Sequence, residues 1–367
     1  MFLNIFNTNI DYAYRDSNNI MYSGIFKRSY LFKNNDFNID NDNNKKLDFD
    51  IFIKKGNNIF NSNKCIDIII PYYNSKKTIV KTLSSIALSN YSKYLKVTMI
   101  DDCSTEKYNL DYFKKFIDLK IVKMKKNSGP GVARQYGIDI TSNPYIMFID
   151  SDDVFINKDC FDNIFDYIKN NDVDIIINNV LYESDDYKLF NTHNNDTVLH
   201  GKCYRRDYLR KHNIRFSNTR RSEDNSFNNI CMLFKPKYVI LNDNVYMYHY
   251  RKGSITRSDD YHVDLNYALD FVDNLKYYCS YLNDNIDFKR AQKYLAKSFI
   301  WLWKIYNNEL SNPLLNNYIK EISSLYVYYK DMKIDEFLND NVEFKILDSY
   351  FETKYLNFIE LIKNYHE

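Results

Sequence analysis

Pro144-Tyr145-Ile146-Met147-Phe148-Ile149-Asp150-Ser151-Asp152-Asp153 is the stretch that decides the fold. Ile146 to Ile149 has the composition of a strand buried on both faces, the kind found in parallel sheets covered by helices. Pro144 marks where such a strand can begin. The apolar run then empties into three carboxylates, and the carboxyl end of a parallel strand is where open α/β sheets bind ligands. Acids so close together repel unless a cation compensates them. Alternate residues of an extended segment point the same way, so Asp150 and Asp152 can converge on one ion while Ser151 faces elsewhere. Hard oxygen ligands suit Mg2+ or Mn2+. Taken alone, the stretch also fits an acidic surface turn, so its neighbours have to decide.

Upstream and downstream, strands alternate with helices. Cys65 to Ile70 reads as a strand that ends at Pro71-Tyr72-Tyr73-Asn74, and Ile79, Leu83, Ile86 and Ala87 follow at helical spacing. Lys96 to Ile100 is a second strand, ending at Asp101-Asp102-Cys103-Ser104, and the spacing predicts a helix over 108–118. Leu119 to Met124 is a third, running into Asn127-Ser128-Gly129-Pro130-Gly131-Val132-Ala133-Arg134, where Pro130 suits a first helical turn. A helix over 158–170 leads to a fifth strand at Val173 to Ile177. This pattern indicates an α/β fold, a mostly parallel sheet with helices on both faces. Four polar strand exits then fall on one edge: Tyr73-Asn74, Asp101-Asp102, Asn127 and Asp150-Asp152. Their convergence is the strongest sign of a site.

Residues 178–255 read as less regular. His200 to Leu209 is basic and opens a short helix. Ser222-Glu223-Asp224 heads a segment of helical apolar spacing, with Ser222 as a candidate N-cap and the acid pair favourable at the helix dipole. Tyr246 to Tyr250 alternates like a strand before the basic loop Arg251-Lys252-Gly253-Ser254. From about residue 260 the apolar spacing is helical. Three regions result: an N-terminal extension over 1–63 with a polar Asn/Asp-rich middle, an α/β domain over 64–257, and a C-terminal helical domain over 258–367 that offers a surface for self-association.

Bulk properties narrow the function. The 367 residues carry a net charge of +2, from 50 basic and 48 acidic side chains, which gives no support to a general nucleic-acid binder. Gly is scarce at 7 while Tyr reaches 35, a bias of AT-rich coding rather than of chemistry. The six cysteines are spread singly, which fits a reducing cytoplasm better than a disulfide framework. No apolar stretch is long enough to span a membrane, and the first residues do not read as a signal peptide. These features together predict a cytoplasmic protein, or one peripheral at the inner face of the membrane. There is no GxGxxG after the first strand and no GxxxxGK[ST], so neither a classical dinucleotide fold nor a P-loop NTPase is expected.

The order of these motifs resembles the family 2 glycosyltransferases, inverting enzymes with a GT-A nucleotide-sugar-binding domain. The resemblance runs from about Cys65 to Thr256. It implies that Pro71, Tyr73, Asp102, Asn127 and Arg134 surround the base of a uridine-type nucleotide. Asp150 would hold the ribose, Ser151 would belong to the nucleotide-sugar site, and Asp150, Asp152 and His249 would hold Mn2+ or Mg2+ on the diphosphate. Arg251 and Ser254 would contact the leaving diphosphate, and Asp224 would be the general base. His200, Lys202, Arg205 and Glu223 would lie on the acceptor side. The implied partners are a UDP-sugar donor and a glycan, wall-polymer, protein or, less favoured on charge, nucleic-acid acceptor. Gln135 departs from the family's usual Asn. A sugar-phosphate nucleotidyltransferase would need a glycine-rich basic loop where Tyr72-Tyr73-Asn74 stands. An inactive carbohydrate-binding scaffold would have little use for both Asp152 and Asp224.

Overall fold

The structure, a computed structural model, describes residues 66–183, 189–192, 198–249, 265–340 and 349–366, together with three short strands near the N-terminus. Those three, β1 (Leu3–Asn4), β2 (Ala13–Arg15) and β3 (Met21–Ser23), form an antiparallel sheet of their own. The described residues fall into two units, one of Met1–Asn213 with Lys237–Lys252 and one of Ile214–Pro236 with Gly253–Glu367. The segment 214–236, which the sequence placed before the boundary at 257, thus belongs to the unit of the C-terminal helices.

In the first unit, β4 (Ile66–Tyr72), helix α1 (Lys76–Ala87), β5 (Leu95–Asp101), β6 (Asp118–Lys123), α2 (Pro130–Ile140) and β7 (Tyr145–Phe148) follow in the expected order. After them come β8 (Val154–Phe155), α3 (Asp162–Asn170), β9 (Ile175–Glu183), β10 (Leu189–Thr192), β11 (Lys202–Arg205), α4 (Arg206–Lys211) and β12 (Tyr238–Tyr248). The strand order is β6-β5-β4-β7-β11-β9-β12-β8, with β10 also paired to β9. β6, β5, β4 and β7 run parallel, as do β9 and β12, and β11 lies antiparallel between β7 and β9.

Burial explains why these runs are strands. Ile66, Ile68 and Ile70 of β4 pack with Met147 of β7 and with Ile79, Leu83 and Ile86 of α1 in one buried cluster. Ile69, on the opposite face, meets α2: a Cβ added at Gly137 would stand 2.5 Å from its Cγ2, so glycine permits this close helix–strand approach.

Three local expectations give way. Residues 108–118 form no α-helix but a short 3-10 turn, Asp111–Lys115. Tyr108 donates its hydroxyl to Asp101 and Glu106 accepts from Tyr72, which ties the start of this segment to the sheet. The fifth strand does not end at Ile177 but continues through Asn178 and Asn179 to Glu183. Both amides are buried and donate to carbonyls, Asn178 to Gly201 and Asn179 to Asn242, so polar residues sit inside the strand with their N–H groups bonded. Lys202 and Arg205 lie on a strand, with the short helix starting one residue later.

Beneath β7, at the amino end of the parallel strands, one buried residue ties the elements together. Arg206 is 1% exposed. Its guanidinium donates to Asp67 and Thr141 and to the carbonyls of Asn143 and Ile138, all within 2.7–2.8 Å.

In the second unit, α5 (Glu223–Leu233) precedes α6 (Leu265–Cys279), α7 (Phe288–Asn308), α8 (Leu315–Ser323), α9 (Tyr326–Asp331), α10 (Ile334–Asp340) and α11 (Ser349–His366). Trp303 is buried and Trp301 packs tilted against Phe271, so both serve this core. No helix among the described residues is long and apolar enough to cross a membrane.

Candidate active site

The exits of β5, β4 and β7 are neighbours in the sheet, and the polar residues that follow them form one connected group. Asp102, just past β5, is 4% exposed. Its carboxylate accepts the backbone N–H of Ser128 and of Gly129, both at 2.7 Å. The acid thus fixes the turn that leads into α2, and Gly129 stands at φ 94, a conformation that favours glycine. Asn127 donates its amide to the Asp102 carbonyl at 3.2 Å. On the other side of the same exit, Asn74 accepts from the backbone of Thr105 and Glu106. Tyr73 is exposed beside this loop pair, while Pro71 is half-buried within β4. Pro71, Tyr73, Asp102 and Asn127 thus share one rim.

One helical turn into α2, Arg134 pairs with Asp150 at 2.7 Å. Burial opposes charge on Asp150, but the Arg134 guanidinium and His200 outweigh it and hold the carboxyl well below the usual carboxylate range. His200 Nε2 lies 3.4 Å from the second Asp150 oxygen. Its ring stacks on Tyr246, centroids 4.6 Å apart. The Tyr246 hydroxyl donates to Asp153 at 2.6 Å and accepts the Asp150 N–H at 3.1 Å.

The acids do not alternate as an extended strand would. The Asp153 N–H bonds the Asp150 carbonyl at 3.1 Å, closing a turn with Ser151 buried at its corner. The turn brings Asp150 and Asp153 together, and with His200 they offer ligand atoms within 4.8 Å of one another. Asp152 is half-buried, and its charge acts on Asp153. Burial, then Asp152 and Asp150, push the Asp153 carboxyl well above its usual range. Carboxylates of Asp150 and Asp153 crowded together with the His200 ring, whose Nε2 faces Asp150, make a donor set that a divalent cation fits.

The remaining sequence candidates take various places. His249 donates its backbone N–H to Asp153 at 2.8 Å, while its ring lies 3.3 Å from Glu183. Lys202 is buried and donates to the Val198 carbonyl, which holds the turn that carries His200. Arg205 pairs in register with Tyr145, at the start of β7 and so at the opposite end from the acids, and ion-pairs with Asp172. Glu223 and Asp224 open α5 in the second unit, Glu223 buried and Asp224 half-buried. Asp224 accepts the N–H of Asn225 at 2.8 Å. Ser222 precedes them at φ 60 and makes no side-chain cap, contrary to the N-cap expectation, because the left-handed backbone replaces the usual extended cap geometry. Arg251 and Ser254 lie outside the described residues.

Residues 67–225 match the model of glycosyl transferase family 2. This segment belongs to glycosyl transferase family 2. Among characterised relatives, this glycosyltransferase is 24% identical over 239 residues to glycosyltransferase GlyG of Streptococcus pneumoniae, covering 57% of this chain and 77% of GlyG. It is 25% identical over 262 residues to the poly(ribitol-phosphate) beta-N-acetylglucosaminyltransferase TarS of Staphylococcus aureus, covering 63% of this chain. It spans 46% of TarS, about half its length. The crystal structure of TarS residues 1–349 superposes with a TM-score of 0.56 at 17% identity, over 82% of this chain and 90% of that one. This likeness establishes the GT-A fold, and the same TarS segment has been crystallised with UDP at the same TM-score.

Proposed function

We propose that this family 2 glycosyltransferase transfers a sugar from a UDP-sugar to a hydroxyl of a wall polymer, with inversion and with help from a divalent cation. The observation that carries the reading is the join between two parts of one rim. The Asp102-anchored turn into α2 and the Asp150–Asp153–His200 group meet through the Arg134–Asp150 ion pair. TarS supplies the donor and acceptor classes, through its complex with UDP and its poly(ribitol phosphate) activity.

In this reading Tyr73 and Asn127 bound the base pocket and Asp102 accepts a hydrogen bond from the base. Asp150, Asp153 and His200 would hold Mn2+ or Mg2+, with Asp152 beside them. The chemistry such a cation would supply is Lewis-acid stabilisation of the departing diphosphate. Arg134 keeps Asp150 ionised and aimed. Asp224 takes the proton of the acceptor hydroxyl, a role that typically contributes about 10²–10⁴-fold.

Calorimetry with UDP, GDP and CDP, each with and without Mn2+, tests the donor site. Metal-dependent binding of UDP alone is expected, and no binding of any nucleotide under either condition refutes the reading. Transfer from UDP-GlcNAc and UDP-Glc to poly(ribitol phosphate) then tests the acceptor class. Asp224→Asn should leave UDP affinity unchanged and lower turnover by at least about 100-fold, whereas wild-type turnover in that variant removes Asp224 from the mechanism.

A further inference from the structure

Asn274 lies in the middle of α6, on the side buried with Phe271, Leu275 and Tyr278. It is 1% exposed. A side-chain amide in such a place has to find its partners inside the protein. Its Oδ1 accepts three hydroxyls, from Ser217 at 2.6 Å, Thr219 at 2.9 Å and Ser226 at 3.0 Å. Its Nδ2 donates to the carbonyls of Arg221 at 2.7 Å and Asp270 at 2.8 Å. Both N–H donors are used and the oxygen is filled beyond its two lone pairs.

Four of these five partners belong to one segment, the turn 217–222 and the first turn of α5. That segment contains a strained residue. Ser222 has φ 60, a left-handed conformation that residues other than glycine rarely adopt. It persists only where the surroundings over-determine it. Asn274 holds the carbonyl immediately before Ser222, and the Ser222 hydroxyl donates to Tyr267 at 3.1 Å, another residue of α6. The direction in which α5 leaves this turn is therefore set by α6, and the next two residues are Glu223 and Asp224.

We propose that Asn274 is the positioning residue for the Asp224 carboxylate. The first C-terminal helix is then part of the catalytic apparatus. The inference rests on the reading of Asp224 as the general base, and the test separates the two.

UDP release from UDP-GlcNAc in the presence of poly(ribitol phosphate) gives kcat and KM, UDP calorimetry reports the donor site, and circular dichroism reports the fold. Asn274→Leu removes all five hydrogen bonds at similar volume. It should lower kcat by about 30–100-fold, a loss that reaches the lower end of what general-base catalysis contributes, and leave UDP affinity and donor KM within about threefold. In an Asp224→Asn background the same change should cost nothing further, because residues that act as one unit are not additive. Asn274→Asp keeps the acceptor for the three hydroxyls and loses the two donated bonds. It should lower kcat by about tenfold, and it decides by the same criteria if the leucine variant does not fold. A folded variant with wild-type kcat overturns the inference, as does a full additional loss on top of Asp224→Asn. Wild-type turnover in Asp224→Asn alone removes the base assignment, and the role of Asn274 falls with it.

Discussion

Replacing Arg206 by methionine should destabilise the sheet unit far more than deleting a surface ion pair would. The guanidinium faces Asp67 at 2.7 Å, with both side chains at most 3% exposed. Asp67 also accepts the backbone N–H and the side-chain amide of Asn143, so its carboxylate would keep two donors but lose the cation paired with it. The carbonyls of Ile138 and Asn143 and the hydroxyl of Thr141 would each lose a donor. Breaking a buried pair from one side typically costs about 3–5 kcal/mol. With a urea m-value of about 2 kcal/mol per molar, the midpoint should fall by roughly 1.5–2.5 M. Both tryptophans lie in the other unit, so their fluorescence does not follow this change directly. Hydrogen exchange of the β4 and β7 amides does. Arg206→Lys should recover only part of the loss, because a point charge cannot supply the planar fork that reaches four oxygens. A cost below about 1 kcal/mol for Arg206→Met would refute the reasoning, and full recovery by lysine would show that charge alone matters.

Three further outcomes are expected. Asp153→Ala should abolish Mn2+-dependent strengthening of UDP binding in calorimetry while leaving metal-free UDP affinity unchanged; an unaltered Mn2+ effect would exclude this donor set. Asp102→Ala should cost about 1.5–3 kcal/mol in thermal or urea unfolding through loss of its hydrogen bonds to the turn before α2, and should also weaken UDP binding; an effect on stability alone would remove Asp102 from the base pocket. Asp150 titrates below its unfolded value of about 3.9, so its stabilisation is present above that pH and is lost as pH falls through the folded value. Arg134→Gln should therefore flatten the stability profile between about pH 2 and 4 and lower stability near neutrality; an unchanged acid limb by circular dichroism would contradict this.

The parts of the fold that were legible in the sequence are those where burial dictates residue type. The apolar runs of β4, β5 and β7 had to be strands, and their polar exits had to share an edge. What stayed hidden depends on side chains that find partners far along the chain. Asp153 looked like a bystander because alternation favours Asp152, and a turn closed by one backbone hydrogen bond reverses that geometry. His200 reached the acids because Gly201 adopts φ 71 and its carbonyl accepts the Asn178 amide, a glycine signal in a glycine-poor chain that was there to be noticed. Asn274 left a trace too, as a polar residue at helical spacing among Phe271, Leu275 and Tyr278, but nothing in the sequence says which loop it would meet.

The sheet is not written in one piece. The chain leaves it after Asn213, contributes 214–236 to the other unit, and returns at Lys237 to lay down β12. β12 pairs with both β9 and β8, so neither has that partner until Tyr248 has been made. On a ribosome adding about 5–20 residues per second, the 65 residues from Glu183 to Tyr248 take roughly 3–13 s. During that interval the edge of β9 that β12 will cover is an open template for other strands. A recombinant fragment cut at residue 225, where the family match stops, would hold that nascent state permanently. Expression trials with such a fragment should give aggregates, and one that runs through β12 is the shortest that closes the sheet.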